Sequence, residues 1–551
     1  MRTTKRILAT GLALVLLLTT VAFAETSTST EEEIAKQYSA YDETVTIITA
    51  KRSSASPGFL EGDDVENNPM TRYIKDTLNV EIEVEWETET SEFANKIALM
   101  LAAGSLPDMF ALSKSDYLLF KQLLENDMLE PLGDVYDEYA NDYVKNTLAT
   151  YNGENFAPFY GDDGELYAIV SGNYGYEYNL LWVREDWLDE LGLSMPTTIE
   201  EMEEVLKAFK ENPPSDTYTG MMLNASSVGG VYDSYSASPI FGAYDAYPGM
   251  WTTDEDGNAV WGSVQPQVKE GLAILAEWYA EGLIDPEFMT RTASGANEAQ
   301  ITGELTGLFF APWWLGYSIS DFNEQNPDAV LTNINAPLDS DGMFNVAFPS
   351  AAGSFICVRK GYEYPEAVVK VINLEFDMWR GFNEEAAALI LETRNNGVDW
   401  EYLFPTSYFN VESNYGVPES GEIAHALVNG TDYSDLSYNP QTLLMAEQAK
   451  EYAELGNDAP AGDWLSYFTR YIGADPSMMY ADNLEIHYPT FAFTTDSMAD
   501  IKPNLDTLEQ TTFLKIITGE LSIDAFDEFV EEWYAQGGQI MTDEVNALLN
   551  E

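Results

Sequence analysis

The sequence predicts an α/β protein with more than one sheet, and three observations carry that reading. Apolar and polar residues alternate over short runs such as 80–86 (Val-Glu-Ile-Glu-Val-Glu-Trp), the period-two pattern of a half-buried strand. Between such runs lie stretches with apolar residues three and four apart, the pattern of amphipathic helices. Finally, 45% hydrophobic and 13% aromatic residues over 551 positions supply ample core material, despite 93 Asp+Glu against 26 Lys+Arg.

The first element is a targeting segment. Arg2, Lys5 and Arg6 form a positive flank, residues 7–23 are an apolar run, and Ala22-Phe23-Ala24 supplies a small-x-small cleavage pattern. Residues 1–24 therefore read as a signal peptide, with an uncleaved anchor as the alternative because the run approaches spanning length. No cysteine stands at the cleavage site, so lipidation through an N-terminal cysteine is not expected. The product is exported, to a periplasm or to the extracellular or cell-surface space. Residues 25–42, rich in Ser, Thr and Glu, read as a disordered leader with nothing to bury.

From Val45 the run Val-Thr-Ile-Ile is a strand, residues 71–78 turn a helix, and 80–86 is the second strand. Residues 91–103 place Phe93, Ile97, Met100 and Leu101 on one helical face, with Ser91 as cap and Gly104 past the end. A strand at 108–111 follows. This strand–helix–strand order implies a parallel sheet with ligands at the carboxyl ends of its strands. The same order restarts at 180–183, followed by a capping box of Thr197 with Glu200 and a helix bearing Met202, Val205, Leu206 and Phe209. Residues 268–279 form another helix, 307–310 lead into Ala311-Pro312-Trp313-Trp314, 355–358 is a strand, and 364–374 a helix with Pro365 in its first turn. Ser522 caps a last helix with Phe526, Phe529 and Trp533, stopped by Gly537-Gly538.

Composition excludes several functions. A formal charge of −67 argues against nucleic acid and anionic membrane surfaces as partners, since both require a cationic footprint. One cysteine, Cys357, precludes a disulfide framework, and His425 and His487 alone leave little histidine chemistry. No Gly-x-Ser-x-Gly elbow, P-loop or His-Glu-x-x-His occurs, and Cys357 sits inside an apolar strand as a small core residue, so no catalytic residue and no cofactor is assigned. Asp254-Glu255-Asp256-Gly257-Asn258 has its glycine at the wrong place for a calcium loop. It reads instead as a hairpin turn between Met250-Trp251 and Val260-Trp261, so no metal site is expected.

Several segments, in order, carry a family resemblance. Residues 102–110 (Ala-Ala-Gly-Ser-Leu-Pro-Asp-Met-Phe), 182–192 (Trp-Val-Arg-Glu-Asp-Trp-Leu-Asp-Glu-Leu-Gly) with Met195-Pro196-Thr197-Thr198, and the tail 526–546 with Gly537-Gly538 and Glu544-Val545-Asn546 form the set. Together they resemble the extracellular solute-binding proteins of ABC importers, family 1 sugar type, of the LplA-like and alginate-oligosaccharide-binding kind. The resemblance implies a two-lobe periplasmic-binding-protein fold (type II), each lobe a mixed sheet flanked by helices, with solute in the cleft at the hinge. Lobe one is expected over 43–168 plus 350–403 and lobe two over 169–349 plus 404–551. Crossings are expected near 167–175, 344–354 and 404–415, where Gly172 and Gly175 permit unusual backbone angles. The resemblance further implies a monomer that captures an oligosaccharide or related sugar and hands it to the transmembrane subunits of a permease, without enzymatic activity. A secreted carbohydrate-active enzyme and a peptide receptor of the same fold remain the alternatives.

A sugar offers C–H faces and hydroxyl edges, which call for aromatic platforms with short polar groups. Trp313, with Trp314 beside it, resembles the Gly-Pro-Trp tryptophan of maltose-binding proteins that stacks on sugar. Tyr174, Tyr176 and Tyr178 would share one face of an extended segment, with Asn173 beside them at the hinge. Asp108 is a candidate hydroxyl acceptor, Trp379 and Arg380 a stacking and guanidinium pair, and Trp86 and Tyr408 lie near expected strand ends or crossings. Each has core packing or ordinary pairing as its alternative. The charge favours a neutral or cationic solute over a polyanion, although a salty habitat explains it equally well.

Overall fold

The structure is a computed structural model that describes residues 30–53, 58–172, 175–291, 294–407, 409, 411–436, 438–479 and 481–549. The expected signal peptide lies outside the described residues. In chain order the strands are β1 (Val45–Arg52), β2 (Val80–Thr88), β3 (Met109–Leu112), β4 (Ile169–Gly172), β5 (Leu180–Arg184), β6 (Trp251–Thr253), β7 (Ala259–Trp261), β8 (Leu308–Ala311), β9 (Leu331–Ile334), β10 (Phe344–Ala347), β11 (Ala352–Val358) and β12 (Leu484–His487).

They fall into two bodies. The first is a mixed sheet ordered β2-β1-β3-β11-β4. β1 pairs in parallel with β2 and β3, and β11 runs antiparallel to both β3 and β4. The parallel β1–β2 step needs a crossover, which the helix Pro69–Leu78 supplies. Asn68 caps its start and Asn79, at φ 56°, ends it. Alternation along β11 sends Ile356 and Val358 into the core under the helix Pro365–Arg380. The same alternation sends Phe355 and Cys357 into the core under Thr90–Ala103 and Tyr117–Glu125. The sheet is therefore a layer between two helical layers.

The second body is built on a sheet ordered β8-β5-β9, with a hairpin β6–β7 and a two-stranded pair β10–β12 nearby. Here β5 runs antiparallel to both neighbours, so the parallel sheet expected from strand–helix order does not recur. Hydrophobic periodicity reports burial, not pairing direction, and the long excursions between these strands let the chain return from either side. The large core of this body joins the helix Ile199–Glu211, through Met202, Val205, Leu206 and Phe209, to Val268–Ala280 and the C-terminal helices Asp496–Ile517 and Ala525–Trp533. The cap of the first of these is Thr198, whose hydroxyl accepts from Glu201 N–H, one residue later than the spacing suggests. The hairpin forms as expected, Trp251 opposite Trp261, and Asp254 Oδ1 is consumed by the N–H groups of Asp256 and Asn258 in its turn.

The stretch 25–42 requires a correction. Residues Glu31–Tyr38 are a helix opened by a capping box at Thr30. Gln37 is buried and donates to Ala140 O at 3.1 Å, and the Tyr38 hydroxyl donates to Asp377 at 2.5 Å. The segment docks through polar side chains, which composition reads as solvent-facing.

Candidate functional site

The chain passes between the two bodies after β4, between β10 and β11, and between the helices Trp400–Leu403 and Gly416–Asn429. β4 belongs to the first sheet, so the first passage begins after Gly172. The passages touch. A Cβ on Gly172 would stand 2.5 Å from the Tyr151 ring and 2.6 Å from the Glu412 carbonyl oxygen; one on Gly175 would stand 2.3 Å from Asn414 O. Neither glycine has a positive φ. Their role is close backbone approach, not the unusual angles expected from sequence. The Tyr151 hydroxyl donates to Glu412 O at 2.9 Å, and Asn414 N–H donates to Thr150 Oγ1 at 2.9 Å, fastening the third passage to the first body. At its start, the buried Lys51 ammonium donates to Tyr402 O and Phe404 O at 2.5 and 3.0 Å. Glu375 takes the Thr406 N–H and hydroxyl there. Burial drives the Lys51 amine down to about 8 and the Glu375 carboxyl up to about 8.

The carboxyl ends of β1 to β3 lie toward the second body, since Tyr117, in the helix after β3, meets Phe493 from the segment after β12. Arg52 ends β1 and binds Ala111 O and Asp116, which orders the turn Lys114–Asp116 that follows β3. Lys114 and Tyr117 project from that turn and from the helix after it. Across from Tyr117 comes the segment after β12, whose Phe493 meets Tyr117 and whose Tyr488 packs on Phe348, the ring that also receives Tyr176 from the first passage. Asn179 ties the Tyr232 loop to the first passage by donating to Asp233 O at 2.9 Å. Tyr117 stacks on Phe493 with ring centroids 4.1 Å apart at 26°, so the two bodies meet at an aromatic bridge.

Electrostatics set these side chains apart. Lys114 and Glu177 are solvent-accessible yet hemmed in by protein. Partial desolvation lowers the Lys114 amine, and desolvation with the nearby Glu412 charge lifts the Glu177 carboxyl to about 7. Tyr232 and Tyr488 expose 41% and 48% of their surface, large values for rings this desolvated. Exposed phenols such as Tyr232 and Tyr488 can stack on sugar faces and exchange hydrogen bonds with hydroxyls.

The residues singled out from sequence scatter. Trp313 is 4% exposed, packed in the second body with the Arg470 guanidinium 4.6 Å over its ring, and Trp314 is partly buried against the same core. Tyr178 is buried, its hydroxyl on Asn335 and its ring stacked on Phe348. Tyr176 is half-buried beside Phe348, and its φ of 64° breaks the extended run that would have aligned the tyrosines. Asn173, Tyr174 and Tyr408 lie outside the described residues. Asp108 stands before β3, at the amino edge of the sheet, where it accepts from Ile48 N–H and Arg359; it faces away from the carboxyl ends. Arg380 is buried in an ion pair with Glu412, with the Trp379 ring against its guanidinium. Trp86 nears the carboxyl end of β2 but lies on the helix Thr90–Ala103, touching Phe93 and Lys96. Of these residues only Tyr176 comes near the Tyr488 segment, through Phe348, where it joins residues that sequence reasoning did not single out. Lys114 and Tyr117 were within reach, since they directly follow a strand whose carboxyl end was expected to face ligand. Glu177, Tyr232, Tyr488 and Phe493 had no such signal.

Comparison with known proteins agrees with this architecture. The family profile described as bacterial extracellular solute-binding protein matches residues 65–374. Lipoprotein LipO of Bacillus subtilis (strain 168) is 22% identical over 536 residues, 94% of each chain. The polygalacturonan/rhamnogalacturonan-binding protein YtcQ of the same organism is 22% identical over 481 residues, 86% of each chain. Among solved structures, an HMO-binding ABC-transporter-associated solute-binding protein from Bifidobacterium longum infantis superposes with a TM-score of 0.61 at 14% identity, covering 92% of this chain and 99% of that one. The two-lobe fold is shared with such proteins, and the profile match over more than half its length makes the chain a member of the bacterial extracellular solute-binding protein family.

Proposed function

We propose that the groove edged by Lys114, Tyr117, Glu177, Tyr232, Tyr488 and Phe493 captures a neutral oligosaccharide, and that the chain delivers it to the transmembrane subunits of an ABC permease. The observation that carries this is the exposed rings of Tyr232 and Tyr488 on the second body, together with the stack of Tyr117 on Phe493 that joins the two bodies. Stacking from two edges holds a sugar only when the bodies close, which makes the closed form the ligand-bearing form. The name of YtcQ supports a saccharide class. The formal charge of −67 supports a neutral saccharide over a uronate such as the polygalacturonan in the name of YtcQ. The lobes are taken as 43–172 plus 352–403 and 180–347 plus 416–551, working as a monomer that breaks no bond. Lipid anchoring, as the name of LipO carries for that protein, is left to a route other than an N-terminal cysteine at residue 25, which is glutamate.

Isothermal titration of neutral and uronic oligosaccharides, with chromatography of each mixture, tests the reading. Saturable binding of a neutral oligosaccharide with the sugar recovered intact is expected. Tighter binding of a uronate chain refutes the charge argument, and appearance of a cleavage product refutes the receptor.

A further inference from the structure

Beside the third passage lies a hollow of about 280 Å³, walled from the first body by Tyr143, Thr147 and Arg380 and from the second by Glu419, Thr442 and Arg470. The third passage, through Glu412 and Ser413, forms its floor. None of the groove residues named above lines it, and Glu412, whose charge reaches Glu177, stands between the two.

Its charges are unevenly matched. Arg380 and Glu412, 7% and 4% exposed, neutralise each other. Glu419 has the Ser413 hydroxyl and two further carboxylates, Glu412 and Glu422, as neighbours, and desolvation with those charges raises its carboxyl. Arg470 donates to the hydroxyls of Ser420 (3.3 Å) and Tyr317 (3.2 Å) and lies over Trp313, with no carboxylate in an ion pair to it among the described residues. Glu419 and Arg470 both line the hollow, so one carboxyl without an ion pair and one guanidinium without one, among the described residues, share it. At the rim, Phe382 and Tyr438 expose 49% and 42% of their surface, and Phe382 leans on Tyr143 at 5.2 Å. Such ring faces attract an ammonium group.

We propose that this hollow binds a small zwitterion, an α-amino acid or a betaine, with its carboxylate on Arg470 and its ammonium on Glu419 under the aromatic rim. A zwitterion supplies both missing charges at once. A neutral sugar supplies neither, and a simple anion or cation leaves one half-buried group facing like charge. Because the walls come from both bodies, occupancy and the angle between the bodies are linked, and a ligand here changes affinity in the groove by the factor that the sugar changes affinity here.

The test is titration calorimetry of the full chain with glycine betaine and each proteinogenic amino acid, alongside acetate, ethylammonium and sorbitol, with the oligosaccharide titrated separately on the same samples. At least one zwitterion is expected to bind one to one while the two half-mimics, acetate and ethylammonium, and the neutral polyol sorbitol do not. Glu419→Gln and Arg470→Gln are each expected to weaken it by roughly 10- to 100-fold, the range for losing one charge-assisted hydrogen bond. Should Arg470→Gln not fold, Thr442→Trp fills the hollow and is expected to abolish zwitterion binding. In all variants the groove still takes the oligosaccharide. Silence from every zwitterion overturns the proposal, as does binding indifferent to Glu419→Gln and Thr442→Trp. Loss of oligosaccharide binding in a folded Glu419→Gln protein overturns it too, because the hollow would then belong to the groove.

Discussion

Replacing Gly172 by alanine probes the contact that holds the passages together. The added Cβ would sit 2.6 Å from the Glu412 carbonyl oxygen and 2.5 Å from the Tyr151 ring, where ordinary contact begins at 3.4 Å. The third passage must therefore retreat by roughly 0.8 Å or the Tyr151 ring must swing away. Either motion breaks the 2.9 Å hydrogen bond from the Tyr151 hydroxyl to Glu412 O. Overpacking costs about 1–3 kcal/mol and the lost hydrogen bond about 1 kcal/mol, for a total of about 2–4 kcal/mol. The assay is urea unfolding with tryptophan fluorescence, using Gly104→Ala as the comparison. Gly104 has φ 66° and open space around its Cβ position, so that substitution carries only backbone strain of about 1 kcal/mol. A Gly172→Ala midpoint no lower than that of Gly104→Ala would refute the account of how the passages pack.

Further outcomes follow from other contacts. Glu375 is 2% exposed and its carboxyl is pushed up to about 8, so its contribution to stability is complete below the ordinary carboxylate value near 4.5 and is lost as pH rises through 8. Urea midpoints of the native chain, taken relative to Glu375→Gln, should fall by the equivalent of about 3 kcal/mol between pH 5 and 8; a flat difference would contradict the burial argument. Phe493→Ala removes the stack on Tyr117 and should weaken oligosaccharide binding by roughly 2- to 10-fold, with the unfolding midpoint lowered by the equivalent of about 0.5–1.5 kcal/mol because the stack is already made without sugar; unchanged binding would contradict the site. Cys357 is fully buried and its thiol is pushed up, so a thiol reagent at pH 8 should modify it only after denaturation.

Much of the first body is legible because its strands and helices obey simple periods. The alternation of Val80, Ile82 and Val84 and the spacing of Phe93 and Ile97 encode burial directly. What sequence does not encode is the partner. The antiparallel setting of β5 between β8 and β9, and the docking of Glu31–Tyr38 through Gln37 and Tyr38, depend on segments more than a hundred residues away. The site suffers most from this. Trp313 carries a persuasive local motif, yet the residues that bury it, Arg470 and Phe468, come from a helical stretch that no motif links to it. Phe493 and Tyr117 lie far apart in sequence, and only the fold brings their rings together.

Small-angle scattering from the full chain, with and without a saturating amount of the tightest-binding neutral oligosaccharide, tests the central claim most directly. Closure of the bodies around an intact guest predicts a smaller radius of gyration with sugar present and the same sugar recovered afterwards. An unchanged radius at demonstrated saturation would contradict it.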